Sequence, residues 1–370
     1  MAGRFALADR MALIDASGIR KVFDLAATMK DPINLSIGQP DFDVPEEAKR
    51  EAIDAIARGF NKYTQTQGDG PLREAIRGII ASEFGWGADY GHLVTSGVSG
   101  ALVLAFLALL NEGDEVIIPD PYFVMYRHLV NLYGGVPVTV DTYPDFRPDP
   151  ARIEAAITDR TRVLVLNSPA NPTGAVYTQT ELEALAAIAR KHDLLVISDE
   201  IYDAFCYDGP FASIAPLYPN TLVMRGFSKT YAMTGWRLGW CAGPKHVIEA
   251  MTMLQQYSFV CAPSMAQAAG VVALSLDVGP YVEAYRRKRD RVVDALGESF
   301  GLIRPGGAFY AFVPAPQGQT ATEFVRKAIA NNVLIIPGNV FSAADTHFRL
   351  SYATSDDKLA RGLDILRSLA

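Results

Sequence analysis

Between residues 92 and 242, short runs of β-branched and leucine residues alternate with longer stretches whose apolar positions recur every three or four residues. That alternation predicts strands joined by helices, and so a largely parallel sheet. The strands are expected at 92–95, 116–118, 136–140, 163–167, 194–198, 221–225 and 238–242. Val163-Leu-Val-Leu166 and Leu194-Leu-Val-Ile197 are apolar at every position, which suits strands covered by helices on both faces. Thr178-Gln-Thr-Glu181 has the spacing of a capping box and opens an apolar-periodic helix running to about His192. After about residue 278 a charged helix, Tyr281 to Phe300, precedes short strands near Ala308–Val313, Val333–Ile336 and Phe348–Tyr352. The reading is an α/β domain with a smaller α+β domain packed against it, without repeats, low-complexity tracts or a long linker.

Composition narrows the function classes. A chain of 370 residues that is 49% hydrophobic can bury a substantial core. A net charge of -7 and the lack of a basic cluster argue against nucleic acid as a partner. The apolar run Ala101–Leu110 is half the ~20 residues of a membrane span and reads as a buried helix. The first ten residues break their apolar positions with charges too early for a signal-peptide core, so a cytoplasmic protein is expected. Cys206, Cys241 and Cys261 form no close pair and read as buried small hydrophobes. His92, His128, His192, His246 and His347 show no metal-ligand spacing.

Open α/β sheets bind ligands beyond the carboxyl ends of their strands. Five segments at those positions carry chemistry: Thr95-Ser-Gly-Val-Ser-Gly100, Pro119-Asp-Pro-Tyr-Phe123, Asn167-Ser-Pro-Ala-Asn-Pro-Thr-Gly174, Ser198-Asp-Glu-Ile-Tyr202 and Arg225-Gly-Phe-Ser-Lys229. Each is ambiguous alone. Gly97–Gly100 before a helix suits either a phosphate or a capped turn. Asp199 is either the partner of a buried cation or an N-cap. Asn171 and its flanking prolines make an ordered loop in any case. Lys229, just after an apolar strand, is either a desolvated nucleophile or a solvated lysine. Arg237 suits a phosphate or a salt bridge.

Their order and spacing resemble the class I/II aminotransferases, a group of fold-type I pyridoxal-phosphate enzymes. The resemblance runs from Leu35-Ser-Ile-Gly-Gln-Pro-Asp-Phe-Asp43 and Tyr63-Thr64 through Asn171-Pro-Thr-Gly174, Asp199-Glu-Ile-Tyr202 and Ser228-Lys229 to Phe348-Arg-Leu-Ser351. Ser17-Gly-Ile-Arg-Lys-Val-Phe-Asp-Leu25 resembles the branch of archaeal aromatic and aspartate aminotransferases. The resemblance implies a seven-stranded mixed sheet with one antiparallel strand in a large domain, here 46–277, and a small domain built from 1–45 and 278–370. It also implies a homodimer with active sites at the subunit interface that moves the amino group of an L-amino acid, aspartate or aromatic or a broader set, to a 2-oxo acid such as 2-oxoglutarate with pyridoxal 5'-phosphate.

Carried over residue by residue, the resemblance makes Lys229 the Schiff-base lysine and proton shuttle, and Asp199 the partner of the pyridine nitrogen. Asn171 and Tyr202 bond the cofactor's phenolic oxygen, and Phe123 covers its ring. Val98, Ser99, Ser228 and Arg237 hold its phosphate, joined by Tyr63 from the other subunit. Arg349 grips the substrate α-carboxylate, with Gly38 nearby. Two departures stand out: Phe123 replaces a more frequent tryptophan or tyrosine, and Gly226 replaces a serine that some relatives direct at the phosphate. No arginine is placed to receive a side-chain carboxylate. The alternatives are a carbon–sulfur β-lyase on the same scaffold and a non-catalytic regulator. Only about forty residues precede Gly38, too few for a separate DNA-binding domain. A dehydrogenase is disfavoured because no GxGxxG follows the first strand.

Overall fold

A computed structural model describes residues 7–15 and 18–370. The first six residues and Ala16–Ser17, which include the start of the Ser17–Leu25 match, lie outside the described residues. The N-terminal segment contributes β1 (Ile33–Asn34). The central sheet follows as β2 (Tyr90–Thr95), β3 (Glu115–Asp120), β4 (Val136–Asp141), β5 (Thr161–Asn167), β6 (Leu195–Asp199), β7 (Thr221–Gly226) and β8 (Gly239–Pro244). Its spatial order is β2-β8-β7-β6-β5-β3-β4. All neighbours are parallel except β8, which is antiparallel to both β2 and β7. The seven strands lie where the hydrophobic pattern puts them, each reaching one or two residues further at one or both ends.

The uniformly apolar strands explain themselves in section. Val163 and Val165 pack into one buried cluster while Leu164 and Leu166 pack into another on the opposite face. A strand with a solvated face would alternate apolar and polar residues; this one is covered twice. The helix Gln179–Lys191 supplies part of one cover through Leu182, Leu185, Ala186 and Ala189. It starts at Thr178 with the capping box in place, a device stabilising by about 1 kcal/mol. The run Ala101–Leu110 lies within the helix Gly97–Leu109 and its C-cap, largely buried, as expected.

The C-terminal region holds the long helix Gly279–Phe300 and a second sheet. β9 (Tyr310–Pro314) begins two residues later than the pattern suggests because Ala308 adopts a left-handed backbone (φ 54°). The expected strand at Val333–Ile336 is two strands. β10 (Val333–Leu334) pairs in parallel with β1, and β11 (Ile336–Pro337) pairs with β12 (His347–Ser351), so the chain changes sheets at Ile335. The second sheet has the order β11-β12-β9. The N-terminal segment is stitched to this region by backbone bonds, Leu35 N–H to Leu334 O (2.9 Å) and Ser351 N–H to Leu35 O (2.8 Å).

The cysteines need one correction. All three are free, but only Cys241, inside β8, is buried. Cys206, in an isolated β-bridge with Gly307, and Cys261, in a loop, are both half-buried. Among the described residues no helix is long and apolar enough to cross a membrane, and no group of side chains is arranged to hold a metal ion.

Candidate active site

The carboxyl ends of β2, β3, β5, β6 and β7 converge on one cavity of about 270 Å³. Val98 and Ser99 follow β2, Phe123 follows β3, Asn167 and Asn171 follow β5, Asp199 and Tyr202 follow β6, and Ser228 and Lys229 follow β7. Arg237 enters from the start of β8, Arg349 from β12 and Gly38 from the N-terminal segment. Every residue singled out in the sequence lines this cavity except Tyr63, which is 83% exposed and lies outside it.

Lys229 sits in the single helical turn Phe227–Thr230 that follows β7. The residue is half-buried, and its amine donates to Gly38 O at 2.7 Å. Burial, followed by the positive charges of Arg349 and Arg237, pulls its pKa down to about 8, against a smaller opposing pull from Asp199. The free amine, the form a nucleophile or base requires, is thus reached at mildly alkaline pH rather than above about pH 10.

Asp199 ends β6 and is 3% exposed. Its Oδ2 accepts from the Tyr126 hydroxyl at 2.7 Å and its Oδ1 from the Ile201 N–H at 3.2 Å. Burial raises its pKa to about 6, while those two hydrogen bonds hold it down. The strand end is itself anchored, because Asn167 Nδ2 donates to Asp199 O at 2.9 Å. Tyr202 and Tyr310 share a buried hydroxyl–hydroxyl bond of 2.8 Å, and burial pushes the Tyr202 phenol well above its usual range.

Arg349 is the most unusual group in the cavity. It is 1% exposed, and its guanidinium lies 4.6 Å from the Tyr310 ring centroid and 4.7 Å from that of Phe341. Nη1 donates to Asn171 Oδ1 (3.0 Å) and Nη2 to Ser36 O (2.6 Å), while Nε has no hydrogen-bond partner among the described residues. No carboxylate among them lies within ion-pair distance of it. A buried cation without an anion is costly, and burial lowers its pKa. The site is therefore built to receive a negative charge from a ligand.

The opposite end is built for a second anion. The helix Gly97–Leu109 starts there with Val98 and Ser99 in its first turn, next to Ser228 and Arg237. Arg237 holds a left-handed backbone (φ 53°) and donates to Thr234 O (3.1 Å) and Ser96 O (3.4 Å). Gly97 holds a left-handed backbone (φ 68°) that strains any other side chain, and a Cβ there would also push Arg237 Nη2, 2.6 Å away, out of its place. Phe123 walls the cavity and meets Tyr126 edge-on, with centroids 5.7 Å apart. An anion seat at one end, a carboxylate in the middle, an aromatic wall and a free-amine lysine match the phosphate, ring nitrogen, ring face and aldehyde of pyridoxal phosphate. The donor set fits that group.

Sequence reasoning missed Tyr126, Tyr310, Ile19, Leu102, Ile201 and Thr234, all of which line the cavity. Tyr126 stands at the start of the helix Met125–Leu132, three residues after Phe123, which precedes that helix, and no local pattern points to it. Tyr310 lies in β9, remote in sequence from every other site residue, and nothing local marks it.

The class I and II aminotransferase family matches residues 30–366 of this chain. The chain is 42% identical to the putative aminotransferase YugH of Bacillus subtilis, covering 96% of each protein. It is 39% identical to aromatic-amino-acid aminotransferase 2 of Thermococcus litoralis over 97% of each. The aspartate aminotransferase of Thermus thermophilus, solved with maleate, superposes with a TM-score of 0.93 at 38% identity, covering 99% of this chain and 100% of that one. With a fold and cavity of this kind, the chain belongs to the class I and II aminotransferases, which are fold-type I pyridoxal-phosphate enzymes. It is an amino-acid aminotransferase, and the carbon–sulfur lyase alternative is not favoured.

Proposed function

We propose that this enzyme transfers the amino group of an aromatic or other uncharged L-amino acid to a 2-oxo acid such as 2-oxoglutarate, working in the cytoplasm as a homodimer. The observation that carries the donor assignment is the charge inventory of the cavity: among the described residues its cations are Lys229, Arg237 and Arg349, and each has a task. Arg349 receives the α-carboxylate and Arg237 the cofactor phosphate, which leaves no cation among the described lining residues for a side-chain carboxylate. Ile19, Leu102 and Phe123 supply apolar lining instead. The aromatic specificity in the name of the Thermococcus relative agrees with that lining.

Val98, Ser99, Ser228 and Arg237 would hold the phosphate of pyridoxal phosphate. Asn171 and Tyr202 would bond its phenolic oxygen, Asp199 its ring nitrogen, and Phe123 would cover its ring. When bound, the cofactor supplies an electron-withdrawing ring that accepts the electron pair left behind when a proton leaves the substrate Cα. Arg349, fixed by Asn171, Ser36 and two aromatic rings, orients the substrate by its carboxylate before any bond changes. Lys229 Nζ, a free amine at mildly alkaline pH, would take the Cα proton of the amino donor and, in the second half-reaction, give a proton to Cα of the new amino acid. Asp199, held as a carboxylate by Tyr126 and Ile201, stabilises positive charge beside it.

The same reading divides the chain into a large domain, 46–277, and a small domain from 1–45 and 278–370; the pairing of β1 with β10 supports it. Exposed Tyr63 and Tyr257 support a second copy as partner, with Tyr63 of the partner subunit reaching the phosphate. Glutamate formation from 2-oxoglutarate, measured with L-tyrosine, L-phenylalanine and L-aspartate in turn, tests the function. Aromatic donors should match or exceed aspartate. No glutamate from any donor would overturn the reading, and aspartate far ahead of both would overturn the donor preference.

A further inference from the structure

A second cavity, of about 780 Å³, shares no lining residue with the first. It lies at the edge strand β2, lined by the helices Gly70–Phe84 and Lys245–Gln256. Arg73 and Arg77, one turn apart on the first helix, and Lys245, which opens the second, all line it. Arg77 is paired with Glu74 (2.6 Å), but Arg73 and Lys245 have no ion-pair partner among the described residues. In a protein of net charge -7, a cleft with three cations against Glu249 on its wall is a local reversal of sign.

The polar groups between the cations are under-used as well. His92, from β2, and Arg73 each keep a buried ring or guanidinium nitrogen, Nε2 and Nε, without a hydrogen-bond partner among the described residues. Burial first, then the charges of Arg73 and Arg77, hold the His92 imidazole neutral, with its pKa pushed down to about 4. The apolar wall includes Trp86, stacked on Tyr90 with centroids 4.2 Å apart, and Met253, 63% exposed.

We propose that this cleft binds a small organic phosphate, with the phosphate on Arg73, Arg77 and Lys245 and an apolar body against Trp86 and Met253. A phosphomonoester is close to a dianion near neutral pH, which suits a cleft lined by several cations. The cavity exceeds what a bare ion would fill, and its apolar wall recognises the remainder.

Calorimetric titration of the holoenzyme with phenyl phosphate tests this, with inorganic phosphate as the head-group-only arm. Saturable binding is expected, weaker by about tenfold or more for inorganic phosphate. The double variant Arg73→Gln/Lys245→Gln should lose about tenfold or more in phenyl phosphate affinity, as removal of two charged donors implies, while keeping its aminotransferase activity. Each single substitution should give an intermediate loss, which guards against a folding defect. Absence of saturable binding, or equal affinity in the double variant, would overturn the proposal. So would loss of the binding event in Arg349→Gln, because the event would then belong to the substrate site. Equal affinity for the two probes would overturn the role given to Trp86 and Met253.

Discussion

Tyr126 donates a hydrogen bond to Asp199 Oδ2 at 2.7 Å, so a tyrosine on another element helps set the ionisation of the cavity's carboxylate. Burial alone would drive Asp199 further toward its neutral form, and this bond is the largest influence opposing it. In Tyr126→Phe the Asp199 pKa should therefore rise above its value of about 6. A hydrogen bond to a charged group contributes about 1.5–3 kcal/mol, so the acid limb of the kcat/KM–pH profile should move up by about one pH unit or more. An unchanged acid limb would refute the link.

Lys229 should react as an unusual lysine in the cofactor-free protein. With its pKa near 8, labelling by an amine-selective reagent should rise through about that pH, against about 10.4 for an exposed lysine. Arg349 is one of the charges that depresses it, so Arg349→Gln should shift the labelling midpoint upward. Peptide mass spectrometry against pH reads both.

Substituting Arg349 should harm substrate binding more than folding. Losing one member of a buried charged contact costs about 2–5 kcal/mol, so Arg349→Gln should lower kcat/KM by roughly two to three orders of magnitude. Lysine should rescue little of it, because the guanidinium geometry that meets Asn171, Ser36 and two rings is not reproduced by an ammonium. A wild-type KM in Arg349→Gln would remove this arginine from the substrate site.

Behind the site, Arg225 ties together the elements that carry the chemistry. Its Nε lies 2.9 Å from Glu200 Oε2 and 3.3 Å from Asp203 Oδ2, and its Nη1 lies 2.7 Å from Glu83. Glu200 is buried, which raises its pKa, while Arg225, Ser213 and Ser198 oppose the rise. Arg225→Met would strand the buried Glu200 carboxylate and leave half-buried Asp203 unpaired, and should cost roughly 3–5 kcal/mol, read as a lower urea midpoint. Adding Glu200→Gln should recover part of that loss; a double variant less stable than the single one would contradict the pairing.

The legible part of this protein was whatever repeats locally or follows a strand. Hydrophobic runs located all seven central strands, and Thr178 with Glu181 marked a helix start because a cap is a contact over three residues. Lys229, Asp199, Asn171 and Arg349 were legible only as an ordered set, and the fold brings that set into one cavity. What stayed hidden depends on distant pairing. Tyr310 meets Tyr202 across 108 positions, Arg225 meets Glu83 across 142, and the break at Ile335 exists only because two separate strands compete for its flanks.

The reversal of β8 has a geometric consequence for the whole site. Six residues of strand span about 20 Å, so a β8 running in the same sense as β7 would have its first residue at the far rim, about that distance from Lys229. Because β8 enters the sheet from the rim where β7 leaves it, a short loop delivers both the amine and Arg237 to the same spot, one at the exit of a strand and the other at an entrance. A single change of direction in an otherwise parallel sheet thus lets two neighbouring strands serve one ligand from consecutive stretches of chain.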